Sequence, residues 1–152
     1  MFRLFIFTLL FGSFVLANDL KQLPYEAGIR SVHSISQDAI LYGSGGRDVY
    51  LFIDPWCRYS RKFISMVSSN PVMLSKYRYH IYLYEIPRLH SQNAISAVYR
   101  AKEPLKTLLK IMIEDDKITA PMTPEVEAKI SAIKTVARQL NVDKRPFLII
   151  ER

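Results

Sequence analysis

The centre of the chain reads Val49-Tyr50-Leu51-Phe52-Ile53-Asp54-Pro55-Trp56-Cys57-Arg58-Tyr59-Ser60-Arg61-Lys62-Phe63. Its first part, 50–53, is a continuous apolar run, which is typical of a strand that is buried on both faces. A helix is predicted to begin at about Cys57. A thiol on the first turn of a helix lies near unpaired backbone N–H groups and the positive end of the helix dipole, and both favour the thiolate. The segment therefore predicts a buried strand that leads into a helix with a reactive cysteine at its start.

The apolar face of this helix fixes the direction of the side chains near the cysteine. Phe63, Ile64 and Val67 recur at helical spacing, and the same face extended backward by one turn reaches Ser60 rather than Cys57. Ser60 is therefore predicted to point to the core, and Cys57 to lie at the exposed tip. Asn70 and Pro71 follow and are expected to break or kink the helix.

The flanking sequence alternates between strand and helix patterns. Strands are predicted over 40–42, 77–86 and 146–150, and helices over 91–101 and 104–113. Thr123-Pro124-Glu125 is a favourable helix start, and an apolar stripe runs on from it to Leu140. The alternation favours an α/β fold.

The first 17 residues have the pattern of a secretory signal peptide. Arg3 precedes an apolar run, and Val15-Leu16-Ala17 supplies small residues at a cleavage site. An uncleaved anchor is the alternative, but the run is short for a membrane span. The mature chain is thus predicted to comprise a segment 18–41 without a structural assignment and one domain over 42–152, with no stable membrane span. Export makes disulfide chemistry plausible.

Composition excludes several classes of function. The chain has one cysteine, which rules out an internal disulfide and leaves an odd thiol that is free to react. The net charge is +7, but the basic residues are scattered, and a soluble basic surface is a better interpretation than a nucleic-acid site. The three histidines are dispersed, and no metal site, nucleotide motif or cofactor is predicted.

Together these segments resemble the catalytic domain of the periplasmic disulfide isomerases of the DsbC and DsbG family, within the thioredoxin superfamily. The resemblance covers about 42–150. It is carried, in this order, by Gly43-Ser44-Gly45, by the strand up to Asp54-Pro55-Trp56-Cys57, by Ile86-Pro87-Arg88 with the residues after it, and by Leu140-Asn141-Val142-Asp143-Lys144-Arg145-Pro146. It implies a thioredoxin-like fold with a helical insertion. It also implies that Pro146 is a cis-proline that faces Cys57 and that the neighbouring backbone pairs with an extended substrate.

The chain departs from the family pattern in four ways. Ser60 replaces the second cysteine of the usual Cys-x-x-Cys, and Arg145 stands where Thr or another small residue usually precedes the cis-proline. Too few residues precede Tyr42 for the N-terminal dimerisation domain, so a monomer is expected. The chain ends at Arg152, so the last strand and helix of the fold are expected to be missing. The sheet face next to the final strand would then be covered by the 18–42 segment or by a partner, or else the reading frame is truncated.

The sequence thus predicts an exported, periplasmic thiol–disulfide exchange or isomerase-like protein that acts through Cys57, with Ser60 donating a hydrogen bond to the thiolate. Its partners would be substrate proteins with disulfides or free thiols. Substrate is expected to bind at Trp56, Arg58, Tyr59, Arg145 and Pro146. The basic residues expected to converge around the thiol are Lys144, Arg145, Arg58 and Arg61.

One alternative function is a catalytically degenerate binding or scaffold subunit of an envelope assembly. The other is a monothiol glutaredoxin-like protein, against which the signal peptide argues.

Overall fold

A computed structural model of the protein describes residues 23–152, so the predicted signal peptide lies outside the described residues. Within them the chain forms a mixed α/β fold. The strands are β1 (Ile40–Tyr42), β2 (Arg47–Ile53), β3 (Tyr77–Leu83) and β4 (Phe147–Ile150). The helices are α1 (Tyr25–His33), α2 (Arg58–Ser68), α3 (Pro71–Lys76), α4 (Gln92–Arg100), α5 (Pro104–Ile113) and α6 (Pro124–Gln139). Short 3-10 helices lie at Ser36–Asp38 and Pro87–Leu89.

The four strands form one sheet in the order β1-β3-β2-β4. β2 and β3 are parallel and are joined through α2 and α3, and the register places Leu51 opposite Ile81. β1 runs antiparallel to β3, and β4 runs antiparallel to β2. The apolar run of the sequence is therefore a central strand, as predicted, and Cys57 follows its carboxyl end.

Helices cover both faces of the sheet. On one face Leu51 and Ile53 pack with Ile64 of α2 and with α4 and α5. On the other face Phe52 packs with α1 and α6 and stacks on Tyr82, with 5.1 Å between ring centroids. Alternate side chains of β2 thus enter two separate cores, which explains why the strand has no polar face.

The segment before β1, which the sequence left unassigned, supplies α1. This helix packs beside α6 on the sheet face next to β4, so part of the 18–42 segment covers that face. Gly28 allows the close approach, since a Cβ there would lie 3.1 Å from the Leu140 side chain. The Tyr25 hydroxyl donates to the carbonyl oxygen of Ile150 at 3.0 Å and accepts from the backbone N–H of Arg152 at 2.8 Å. α1 therefore fastens the end of β4 as well as covering the face.

Several predicted boundaries shift for local reasons. Asn70 and Pro71 end α2 and also start α3, because the Asn70 side chain accepts from the N–H groups of Val72 and Met73 and Pro71 occupies the first helical position. β3 ends at Leu83 instead of residue 86: Tyr84 N–H makes a last ladder bond to Ile53 O at 2.8 Å, and Ile86 N–H donates to the Asp54 side chain rather than to a strand. Within residues 23–152, none of the helices combines the length and apolar character that crossing a membrane requires.

Candidate functional site

Cys57 occupies the N-cap position of α2, immediately before the first helical residue, Arg58. Its N–H donates to the carbonyl oxygen of Asp54 at 3.0 Å, and its own carbonyl accepts from Arg61 N–H at 2.9 Å. The prediction that the thiol lies at an exposed tip is wrong, since Cys57 is only 6% exposed. The reason is a contact 88 residues away along the chain: the thiol donates to the carbonyl oxygen of Arg145, with 3.8 Å between Sγ and O.

Ser60 points inward, as predicted, and is fully buried. Its hydroxyl oxygen accepts a hydrogen bond from the backbone N–H of Asp54 at 3.4 Å. Within the described part of the chain, no hydrogen bond joins this hydroxyl to Cys57. Ser60 therefore supports the turn between β2 and α2, and the expected bond to the thiol is not formed.

The peptide bond between Arg145 and Pro146 is cis, as the resemblance implies. It lies in the loop between α6 and β4, and β4 pairs with β2, so this loop is brought to the same end of the sheet as Cys57. The carbonyl oxygen of Arg145 is thereby placed against the thiol. The reactive group thus lies between a helix start and the loop that leads into β4.

The expected convergence of basic side chains on the thiol is wrong for Arg61. Its guanidinium donates to the carbonyl oxygens of Pro55 at 3.0 Å and Ile111 at 2.6 Å, and it pairs with Asp115. Hydrogen bonds from Lys117 and Arg61 lower the pKa of Asp115 to about 2. Arg61 therefore links the β2–α2 turn to the end of α5.

The guanidinium of Arg145 also contacts groups other than the thiol. Its guanidinium lies over the ring of Tyr84, 3.9 Å from the ring centroid, and donates to the carbonyl oxygens of Tyr84 at 3.3 Å and Glu85 at 2.9 Å. These contacts tie the cis-proline loop to the segment after β3. Arg58 stacks on Tyr59 at 4.9 Å and is exposed, which leaves Lys144 as the predicted basic residue with a free head group in the cleft.

An open cleft of about 600 Å³ lies over the thiol. Its walls are formed by Cys57, Tyr59, Ile86, Pro87, Arg88, Asp143, Lys144 and Arg145. The structure thus brings together four of the residues predicted around the thiol: Cys57, Tyr59, Lys144 and Arg145. Ser60, Trp56, Arg58 and Pro146 do not line the cleft, and Trp56 packs instead against the α2 side of the core.

One wall of the cleft, Ile86-Pro87-Arg88, was not predicted as part of the site. The only signal was that this stretch contributes to the family resemblance. Asp54 explains how it reaches the cleft: this fully buried carboxylate accepts hydrogen bonds from Trp56 N–H at 2.8 Å, Ile86 N–H at 2.5 Å and the Ser91 hydroxyl at 2.9 Å. A single side chain therefore joins the turn before Cys57 to the opposite wall.

Arg145→Thr, which introduces the residue usual in the family that the sequence resembles, is expected to lower the free energy of unfolding by about 1–3 kcal/mol. The variant loses the stacking on Tyr84 and three charge-assisted hydrogen bonds to carbonyl oxygens. Arg145→Lys keeps the charge but loses the planar fork and is expected to recover less than half of the loss. Equilibrium unfolding in urea measures both, and a change below about 0.5 kcal/mol for Arg145→Thr would show that the guanidinium contacts contribute little.

Comparison with solved structures shows which proteins this fold is similar to. A compact conformation of ScsC from Proteus mirabilis superposes with a TM-score of 0.68 at 15% identity, over 87% of this chain and 73% of that one. A periplasmic thioredoxin-like protein from Salmonella enterica serovar Typhimurium gives a TM-score of 0.64 at 16% identity, over 86% of each chain. A disulfide interchange protein from Neisseria gonorrhoeae gives 0.60 at 16% identity, over 75% of this chain and 80% of that one.

Sequence comparison adds no closer assignment, since no family model and no curated protein matches the chain. Identities of this size establish the fold alone. The chain therefore has a thioredoxin-like fold of the mixed α/β class.

Proposed function

We propose that this chain is an exported thiol–disulfide exchange protein of isomerase type, which acts through Cys57 alone. The observation that carries the proposal is the position of the thiol, at the N-cap of α2, against the Arg145 carbonyl oxygen and at the floor of an open cleft. The thiolate is the form that attacks a disulfide, and the cleft gives a substrate access to the Cys57 sulfur. The periplasm is the proposed location, because the signal-peptide pattern and an oxidising compartment both suit this chemistry.

The reaction needs no resident cofactor. The Cys57 thiol releases its proton to solvent, and the thiolate attacks one sulfur of a substrate disulfide. The substrate S–S bond breaks, a disulfide between Cys57 and the substrate forms, and the other substrate sulfur leaves as a thiolate. A second substrate thiolate then attacks the mixed disulfide and regenerates Cys57. The disulfide has moved within the substrate, and no net oxidation or reduction has occurred.

Ser60 determines which thiol completes the reaction. A hydroxyl cannot attack the mixed disulfide, so the resolving thiol comes from the substrate or from a small molecule. This favours isomerisation and disfavours dithiol reduction or oxidation. Tyr59 and Arg145 are proposed to bind substrate from the cleft walls, and Trp56, Arg58 and Pro146 to act from positions beside the cleft, with the backbone next to Pro146 pairing with an extended segment.

A catalytically degenerate binding subunit of an envelope assembly is the second candidate. Two observations favour it. Cys57 is only 6% exposed, and the Ser60 hydroxyl bonds to the backbone of the β2–α2 turn rather than to the thiol. In such a protein the cleft would hold a partner without covalent chemistry. The two candidates differ in whether partner binding requires the sulfur atom.

Cys57→Ser distinguishes the two candidates. With no resolving cysteine, the native protein is expected to accumulate mixed disulfides that acid quenching and alkylation preserve and that a reductant removes. In refolding of a scrambled disulfide protein, the native protein is expected to raise the rate and the serine variant to leave it at background. Full partner capture by Cys57→Ser, together with no isomerase activity in the native protein, would overturn the proposal in favour of a binding subunit.

A further inference from the structure

We infer that the Cys57 cleft selects disulfides that are flanked by carboxylates, in an acidic polypeptide segment or in a small acidic thiol. The inference rests on the proposed function, because it names the substrate class of the same site. It is drawn from the charges on the cleft walls. Two of the cations, Lys144 and Arg145, are among the basic residues that were expected near the thiol, and Arg88 is not.

Three cations and one anion line the cleft. The cations are Arg88, Lys144 and Arg145, and the anion is Asp143. Arg88 and Lys144 are exposed, and within residues 23–152 neither forms an ion pair or a side-chain hydrogen bond. Arg78 and Lys129, by comparison, pair with Asp48 at 2.7 Å and with Asp38 at 2.8 Å. Among the described residues the three cleft cations have no such carboxylate partner.

Arg145 adds a charge that its contacts do not cancel. Its guanidinium donates to backbone carbonyl oxygens and stacks on Tyr84, and within residues 23–152 it forms no ion pair with a carboxylate. Two carboxylates belong to the segments around this loop, and neither lines the cleft. Glu85 accepts from Gln92 at 3.0 Å through one oxygen, and its other oxygen is buried without a hydrogen-bond partner within residues 23–152. The Asp54 carboxylate is fully buried and accepts three hydrogen bonds.

A concave site with excess positive charge raises the local concentration of anions and speeds their association. At an ionic strength of about 0.1 M the screening length is about 10 Å, so charges on the walls of one cleft act together on a bound segment. A carboxylate on either side of the substrate cysteine would meet Arg88 on one wall or Lys144 on the other. A lysine in the same position would meet the same charges and be repelled.

Three activated disulfides with a common leaving group test the inference. Each is a mixed disulfide with 2-thiopyridine, made from a Glu-Cys-Glu peptide, a Lys-Cys-Lys peptide or glutathione. Cys57 thiolate attacks the sulfur of the peptide or glutathione, the S–S bond breaks, and thiopyridone leaves and is measured by its absorbance. Every rate is divided by that of the same reagent with 2-mercaptoethanol, which removes differences in intrinsic reactivity.

The native protein is expected to react about five- to tenfold faster with the acidic peptide than with the basic one at about 0.02 M salt, and less than about twofold faster at about 0.5 M salt.

The double variant Arg88→Gln, Lys144→Gln is expected to lose most of this preference, and Asp143→Asn is expected to increase it. Lys102→Gln removes an exposed cation that lies outside the cleft and is the matched control, for which no change is expected. If the glutathione reagent is the fastest, the anionic substrate is a small thiol, and if the acidic peptide is the fastest, it is a polypeptide.

Equal normalised rates for the acidic and basic peptides at low salt would overturn the inference, as would a preference that survives in the double variant. Both outcomes leave the proposed function intact, because Cys57 still reacts. Failure of the native protein to react with any of the three reagents would instead overturn the proposed function itself.

Discussion

Asp54→Ala is expected to lower the free energy of unfolding by about 3–5 kcal/mol and to disable the thiol site in the fraction that folds. Three donors lose their acceptor at once: the N–H groups of Trp56 and Ile86 and the hydroxyl of Ser91. Each buried donor left without a partner costs about 1–3 kcal/mol, and the methyl group also leaves a small cavity. A single domain is stable by only about 5–15 kcal/mol, so this is a large fraction of the total.

Asp54→Asn is the conservative substitution at the same position. Its amide keeps one acceptor oxygen but places an NH₂ group among donors, so about half of the destabilisation is expected to remain. Asp143→Ala is the matched control, because it removes an exposed carboxylate from the cleft wall and is expected to change stability by less than about 0.5 kcal/mol. Denaturant unfolding measures all three. Stability within about 1 kcal/mol of native for Asp54→Ala would mean that the two cleft walls are held together by other contacts.

The fold was predictable where local sequence dictates it. The apolar run that ends at Ile53 has no polar alternation and is a central strand. The start of α6 was recognisable from its capping residue, Thr123, which accepts from Val126 N–H at 3.4 Å. The inward direction of Ser60 followed from helical spacing alone. Such features depend on residues within a few positions of one another.

The site was less predictable because its geometry depends on contacts that are distant in sequence. The burial of Cys57 comes from Arg145, and the position of Ile86 comes from Asp54. The directions of long basic side chains were predicted least well. The sequence shows their charge, but their direction depends on which carbonyl oxygens and rings lie within reach, as for Arg145 on Tyr84.

Ser60→Cys is expected to convert the protein from a monothiol into a dithiol protein. Ser60 lies three residues after the N-cap Cys57, and side chains at this spacing on a helix are neighbours, with about 5–6 Å between Cβ atoms. A modest rotation at the helix start brings such a pair within disulfide geometry. The introduced thiol would resolve mixed disulfides from within the molecule, and an intramolecular attack exceeds any small thiol in effective concentration by orders of magnitude. Mixed disulfides are therefore expected to fall by at least about tenfold, and insulin reduction is expected to appear.

Ser60→Ala provides the control that separates the new thiol from the loss of the old hydroxyl. Both variants lose the hydrogen bond from Asp54 N–H or weaken it, at a cost of about 1 kcal/mol, but only the cysteine variant gains a nucleophile. Two thiols that stay free under mild oxidation, or mixed disulfides as abundant as in the native protein, would show that position 60 cannot reach Cys57. A disulfide that closes while no substrate is processed would have a different meaning. The cleft would then have lost the geometry of catalysis, and the serine would belong to a protein that binds its partner without exchanging sulfur.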